Sequence, residues 1–123
     1  MFTITVENSF DAEHSLLLPD GTRESLHLHR WKVKISVCSD LLDETGCVMD
    51  FHFLQSIVAE KLSLLSGTVL ERLEFFASSG INPSAENVSK YIYDNINPEL
   101  PDYVKLESVR VMEASDCWAK YTK

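Results

Sequence analysis

The stretch LHLHRWKVKISVCS, residues 26–39, alternates between two kinds of side chain. Its odd-numbered positions from 27 to 37 are histidine, tryptophan or aliphatic, whereas its even-numbered positions from 30 to 36 are basic or hydroxyl-bearing. A period of two is typical of a β-strand with one buried face. One face is therefore predicted to hold His27, His29, Trp31, Val33, Ile35 and Val37, and the other Arg30, Lys32, Lys34 and Ser36.

Three further segments are predicted to be extended. Residues 1–14 begin with the same alternation of apolar and polar side chains. After the turn formers of SDLLDETG, the run CVMDF, residues 47–51, is predicted to return as a short strand and to form a hairpin with the strand quoted above. A last strand is expected from Tyr103 to Ala114, followed by the short segment CWAKY.

Apolar residues at helical spacing predict the helices. One helix is expected from about Phe51 to Leu65, with Asp50 as its N-cap. A second, shorter helix is predicted within TVLERLEFFASSG. The stretch NPSAENVSKYIYDNI predicts a helix that starts near Pro83 and is terminated by Pro98. The order of elements indicates the α+β class, with one antiparallel sheet covered by two helices.

Length and composition restrict the classes of protein to which the chain can belong. At 123 residues and 45% apolar content, we expect one domain spanning residues 1–123. A net charge of −8 argues against nucleic acid and anionic membranes as partners. Neither a signal segment nor a run of about 20 apolar residues is present, so a cytoplasmic location is expected. The three cysteines are not spaced as a disulfide framework or a thiolate zinc site.

Two histidines at i and i+2 of one strand can bind a metal ion together. Their imidazoles lie about 6 to 7 Å apart along the strand, and His14 comes near them if the first two strands pair antiparallel. Three neutral nitrogens with a fourth position open would make a catalytic-type zinc site. The alternative is that His27 and His29 belong to the buried face of a strand. The remaining histidine, His52, is interpreted as helix surface.

Charged residues near this pair are candidates for chemistry or for anion binding. Glu24 lies three residues before His27 and could act as an acid or base, or be an exposed loop residue. Arg23 would more naturally hold an anion. The basic residues from Arg23 to Lys34 could meet an anionic ligand or form a solvated strand face. Glu113, in the apolar context VRVMEAS, must pair with a cation or bind a ligand, because burying a lone carboxylate is costly.

The order of several motifs resembles the 6-pyruvoyl-tetrahydropterin synthase family, which includes 6-carboxy-tetrahydropterin synthase. The motifs are FDAEHSL, LHLHRW, GCVMDF, NPSAENV and VMEASDCWAKY. The resemblance implies a T-fold, a four-stranded antiparallel sheet with two helices on one face, which usually assembles as a hexamer of two trimers. It also implies Zn²⁺ held by His14, His27 and His29, a pterin ring anchored by Glu113, and 7,8-dihydroneopterin triphosphate as the substrate class.

The sequence departs from the family pattern near the histidine pair. Arg23 stands where the family usually has its catalytic cysteine, and Leu28 replaces the middle glycine of His-Gly-His. Glu24 matches a subgroup that has a glutamate three residues before that motif. Members of this subgroup resemble enzymes that cleave the substrate side chain to 6-hydroxymethyl-dihydropterin.

A second departure affects the family's Asp-His pair. The pair aligns with Ser66 and Gly67 in LLSGTVL, and a substitute could come from Glu71, Glu74 or another residue that the sequence does not identify. The main hypothesis is thus a zinc-dependent pterin lyase that uses Glu24. One alternative is a zinc-containing T-fold protein that binds a pterin or purine-like ligand without the reaction. Another is a lyase of the 6-carboxy or 6-pyruvoyl route with relocated catalytic groups.

Overall fold

The structure is a computed structural model that describes residues 1–123. Four antiparallel strands form one sheet in the order of the chain. β1 and β2 are 13 residues each and pair along their whole length, from Phe2 opposite Ser39 to His14 opposite His27. The strands are β1 (Phe2–His14), β2 (His27–Ser39), β3 (Lys105–Ala114) and β4 (Cys117–Tyr121).

Helices cover one face of this sheet. They are α1 (Phe51–Ser63), α2 (Glu74–Ser79) and α3 (Ala85–Ile96). Asp50 caps α1 by accepting the backbone N–H of His52, and Ser84 caps α3 by accepting that of Asn87. The apolar side of β2 is fully buried beneath the helices, as its alternation predicted. The predicted α+β class with an antiparallel sheet is therefore confirmed.

The predicted short strand at residues 47–51 is wrong. Residues 47–50 form a loop, and α1 begins at Phe51. Val48 and Met49 are buried because they insert into the core from this loop, without pairing with β2. The neighbours of β2 are β1 and β3, and the closing segment CWAKY forms the fourth strand beside β3.

The segment between α1 and α2 lies along the free edge of β1. Gly67 donates its N–H to the carbonyl of Asp11 at 2.7 Å, and Glu13 donates to the carbonyl of Thr68 at 2.9 Å. The predicted second helix is present within TVLERLEFFASSG as a 3₁₀ turn at Leu70–Arg72 followed by the short helix α2. No helix of the chain has the length and apolar character needed to cross a membrane.

Candidate metal centre

Three histidine rings converge at one end of the sheet. The register of β1 and β2 places His14 opposite His27, and His29 follows on the same face. The ring centroids are 4.5 Å apart for His14 and His27, 4.6 Å for His27 and His29, and 5.1 Å for His14 and His29. His14 is completely buried, whereas His27 and His29 are partly exposed. Solvent therefore reaches the cluster through His27 and His29.

Glu113 brings a carboxylate to the three rings from the end of β3. Its Oε1 lies 2.7 Å from Nε2 of His14 and 3.5 Å from Nε2 of His29. One potential ligand atom from each of the four side chains falls within 4.8 Å of all the others. Three imidazole nitrogens and a carboxylate oxygen form a donor set that suits Zn²⁺.

Backbone carbonyls determine which ring nitrogen carries the proton. Nδ1 of His14 donates to the carbonyl of Pro83 at 2.8 Å, and Nδ1 of His27 donates to that of Ser25 at 2.7 Å. A carbonyl can only accept, so in each neutral ring the proton sits on Nδ1 and the lone pair on Nε2. Such an acceptor behind the ring is the usual arrangement for a metal-ligating histidine.

The Nε2 atom of His14 is buried and has no hydrogen-bond partner. Its contact with Glu113 Oε1 is short, but it lacks the geometry of a hydrogen bond. With the ring proton on Nδ1, both atoms in this contact are electron-rich. A cation or an additional proton is needed to make the contact favourable. The residues present therefore fit a metal ion.

The electrostatic surroundings of His29 favour its neutral, ligating form. Burial lowers the pKa of His29, and the neighbouring His14 and His27 lower it further. The carboxylate of Glu113, and to a smaller extent that of Glu24, oppose this shift. Because the net change in pKa is downward, a proton competes less well with a metal ion for the ring nitrogen of His29.

Glu24 lies beside the cluster and not within its set of four. Its Oε1 accepts the backbone N–H of Leu16 at 3.0 Å, and its carbonyl accepts the hydroxyl of Ser15 at 2.8 Å. The side chain is half-buried, and its charge acts on His29. The loop between β1 and β2 therefore holds this carboxylate in place next to the histidines.

Arg23 and His52 lie outside the cluster. Arg23 is exposed and donates from Nη1 to the carbonyl of Ser15 at 2.9 Å. It also lines a cavity of about 110 Å³ together with Glu71 and Asn82. His52 is exposed at the start of α1, where the sequence predicted helix surface.

The structure separates the two candidates for the missing Asp-His pair. Ser66 and Gly67 lie at the edge of β1, where Gly67 contributes backbone hydrogen bonding alone. Glu71 is half-buried and accepts the backbone N–H of Ser15 at 3.1 Å, directly after His14. The side chain of Glu74 is exposed and makes no hydrogen bond within the chain. Of the two, only Glu71 contacts the segment that carries a histidine of the cluster.

Sequence reasoning missed the carbonyl of Pro83 and the direct approach of Glu113 to His14. No signal in the side-chain pattern reports a main-chain acceptor. The resemblance implies that Glu113 anchors a ligand, and in the structure this residue lines a second cavity, of about 160 Å³, with Glu86, Cys117 and Trp118. Its carboxylate thus borders both the histidine cluster and this cavity.

Comparisons with known proteins agree with the geometry. The family model described as 6-pyruvoyl tetrahydropterin synthase matches residues 3–123. A 6-carboxy-5,6,7,8-tetrahydropterin synthase from Synechocystis is 32% identical, covering 98% of this chain and 93% of its own. A dihydroneopterin monophosphate aldolase from Pyrococcus furiosus is 29% identical, covering 88% and 86%. The solved 6-pyruvoyl tetrahydropterin synthase from Caenorhabditis elegans superposes with a TM-score of 0.84 at 20% identity, covering 99% and 95%. This likeness confirms the predicted T-fold.

Proposed function

The chain belongs to the 6-pyruvoyl tetrahydropterin synthase family and is an enzyme of the lyase type in pterin biosynthesis, and from that premise we propose a zinc-dependent lyase acting on 7,8-dihydroneopterin triphosphate. The observation that carries the proposal is the buried, unpartnered Nε2 of His14, which faces a carboxylate and two further imidazoles. A cluster of this composition at the end of a sheet is a site for metal-assisted chemistry.

The histidines His14, His27 and His29 would hold the zinc ion. When bound, zinc supplies Lewis-acid chemistry, which polarises substrate oxygens and lowers the pKa of adjacent protons. The carbonyls behind His14 and His27 accept from Nδ1, so that in the neutral rings the lone pair of Nε2 faces the metal position. Partial exposure of His27 and His29 leaves an approach for the substrate from the solvent side.

Glu24 would accept and return the proton in this reaction. The hydrogen bond from Leu16 holds the carboxylate through Oε1, which leaves Oε2 available to a substrate. Half-burial beside the histidines keeps the group close to the reacting atoms without isolating it from solvent. A positioned acid or base of this kind contributes about 10²- to 10⁴-fold in rate.

Glu113 and Arg23 would bind the two ends of the substrate. The carboxylate of Glu113 borders a cavity of about 160 Å³ and can accept the N–H groups of a pterin ring. The guanidinium of Arg23 is exposed and uses only Nη1 within the chain. Its remaining donors suit the phosphate oxygens of the substrate.

The proposal also covers the assembly and location of the protein. We expect one domain spanning residues 1–123, which forms a homohexamer of two trimers in the cytoplasm. Nucleic acid and membranes are not expected as partners, because the chain has a net charge of −8. The size of the assembly can be measured by light scattering coupled to gel filtration.

A second candidate function is ligand binding without the reaction. It is favoured by Ser66 and Gly67, which stand in place of the family's Asp-His pair and carry no titratable side chain. In that case, zinc and Glu113 would bind a pterin or purine-like ligand that is released unchanged.

Zinc analysis and a product assay together test the proposal. Purified protein is expected to contain one zinc per chain and to convert 7,8-dihydroneopterin triphosphate to a product detected by fluorescence after oxidation. Formation of 6-hydroxymethyl-dihydropterin supports the glutamate route, whereas a 6-pyruvoyl or 6-carboxy product supports relocated catalytic groups. Protein without stoichiometric zinc would overturn the metal site, and zinc with no product at any enzyme concentration would favour the binding function.

The matched variants are Glu24→Gln and Glu74→Gln. Glutamine at position 24 can still accept the N–H of Leu16 through its amide oxygen, so the loop is preserved while the proton acceptor is lost. We expect the first variant to lose about 10²-fold or more in kcat and to retain its zinc. The side chain of Glu74 is exposed and makes no hydrogen bond, so the second variant should keep full activity.

A further inference from the structure

The face of the sheet that the helices leave uncovered carries a cluster of basic side chains on β2, β3 and β4. It displays the even-numbered side chains of β2 together with side chains of β3 and β4. We call this surface the basic face. Five of the 11 lysines and arginines lie on it, in a chain whose net charge is −8. Its cationic residues are Arg30, Lys32, Lys34, Arg110 and Lys120.

The strand register places like charges directly beside one another. Lys34 pairs with Arg110, and Arg110 pairs with Lys120, so that three cations form a row across β2, β3 and β4. Adjacent strands lie about 4.8 Å apart, and the row is therefore about 10 Å wide. Like charges opposite each other on neighbouring strands destabilise a sheet.

No acidic group of the chain forms an ion pair with this row. Glu7 and Asp11 of the edge strand β1 stand opposite Lys34 and Arg30, yet neither forms an ion pair. None of the five cations is within 4.0 Å of a carboxylate oxygen. Lys34 lies over the ring of Trp118 instead, with Nζ 4.9 Å from its centre. The cations of the row are therefore not held in ion pairs and remain available to a bound anion.

We propose that the basic face binds a compact multivalent phosphate of about the size of tripolyphosphate. Phosphate oxygens accept charge-assisted hydrogen bonds from several cations at once, which would turn the repulsion into binding energy. A longer polyanion would extend from the row over Glu7 and Asp11 and would be repelled by the overall negative charge.

This surface is separate from the metal centre. Successive residues of a strand project to opposite faces, so the cations of β2 point away from the side that carries His27 and His29. The inference therefore does not rest on the proposed function.

Calorimetric titration with inorganic tripolyphosphate at low salt tests this proposal. We compare wild type with the double variant Lys34→Gln/Arg110→Gln, and use Arg72→Gln/Lys90→Gln as a control that removes the same charge elsewhere. The affinity for tripolyphosphate should weaken about tenfold or more in Lys34→Gln/Arg110→Gln and change less than about twofold in the control. Each titration is run with and without bound metal, since polyphosphates chelate divalent cations, and affinity for the face should be the same in both.

Thermal unfolding gives a second readout that does not depend on calorimetry. Without phosphate, Arg110→Gln should be at least as stable as wild type because a repulsion is removed. Tripolyphosphate should then raise the midpoint of wild type more than that of the variant. If Lys34→Gln/Arg110→Gln fails to fold, Lys32→Gln/Lys120→Gln serves in its place.

The proposal is overturned by any of four results. These are no binding of tripolyphosphate to wild type, equal binding by the face variant and the control, loss of binding on metal removal, and tighter binding of a single-stranded oligonucleotide than of tripolyphosphate.

Discussion

Replacing His29 by alanine should abolish the stabilisation of the fold by zinc. His29 is the better choice for this test because its side chain is 23% exposed, whereas that of His14 is completely buried. Removing His14 would leave a cavity in the core as well as an incomplete metal site. The matched control is His52→Ala, since His52 is exposed on α1 and lies outside the cluster.

The size of the effect follows from the length of the chain. A metal that binds only the folded state at about 1,000 times its Kd stabilises that state by about 4 kcal/mol. The unfolding entropy of 123 residues is roughly 260 cal/mol/K, so the unfolding midpoint should rise by roughly 16 °C. If losing one ligand weakens zinc about 1,000-fold, the remaining stabilisation is about 0.4 kcal/mol, or roughly 2 °C.

The assay is thermal unfolding followed by circular dichroism. Each protein is stripped with a chelator, dialysed and measured before and after zinc is restored. Wild type and His52→Ala should show the large shift, and His29→Ala should show almost none. The reasoning would be refuted by an equal zinc-induced shift in His29→Ala and wild type, or by a wild-type midpoint that does not respond to chelation.

Three further changes test particular contacts. Glu71→Ala should lower zinc affinity by about tenfold, because the carboxylate of Glu71 fixes the backbone beside the cluster. The control Glu74→Ala should leave zinc affinity unchanged. Competition with a chromophoric chelator measures the affinity of both variants. Tyr93→Phe removes a buried hydrogen bond and should cost about 1 kcal/mol in urea unfolding, so a cost below about 0.3 kcal/mol would contradict it. Asp43 holds its loop through hydrogen bonds that lower the pKa of its carboxyl. The contribution of Asp43 to the free energy of unfolding should be constant above pH ~4 and fade as the pH falls through that lowered pKa. The difference in this free energy between wild type and Asp43→Ala, measured across the pH range, tests the prediction.

The alternation of apolar and polar residues made most of the sheet predictable from the sequence. The alternation in β2 reports a strand with one buried face, and the two histidines share the face that carries Trp31. Antiparallel pairing then brings His14 opposite His27, as expected from the position of the first strand. These inferences succeeded because the side-chain period of a strand is a local property.

Contacts between distant segments could not be predicted in the same way. Val48 and Met49 have the apolar character of a strand, but they are buried as an insertion into the core. The contact of Glu113 with His14 depends on β3 continuing past Met112, its last residue paired with β2, toward the three histidines. Gly67 donates its main-chain N–H to the carbonyl of Asp11. The types of the side chains do not specify a hydrogen bond of this kind between two main-chain groups.

The hydrogen bond from His14 to the carbonyl of Pro83 has an evolutionary consequence. Every residue type has a carbonyl, so no point mutation at position 83 can delete this acceptor. The protonation pattern of His14 is therefore robust to substitution there, but sensitive to any change that displaces the beginning of α3, which follows directly after Ser84. Mutations that loosen the docking of α3 should then weaken metal retention from a distance, and compensating mutations should appear on that helix more readily than around the histidines.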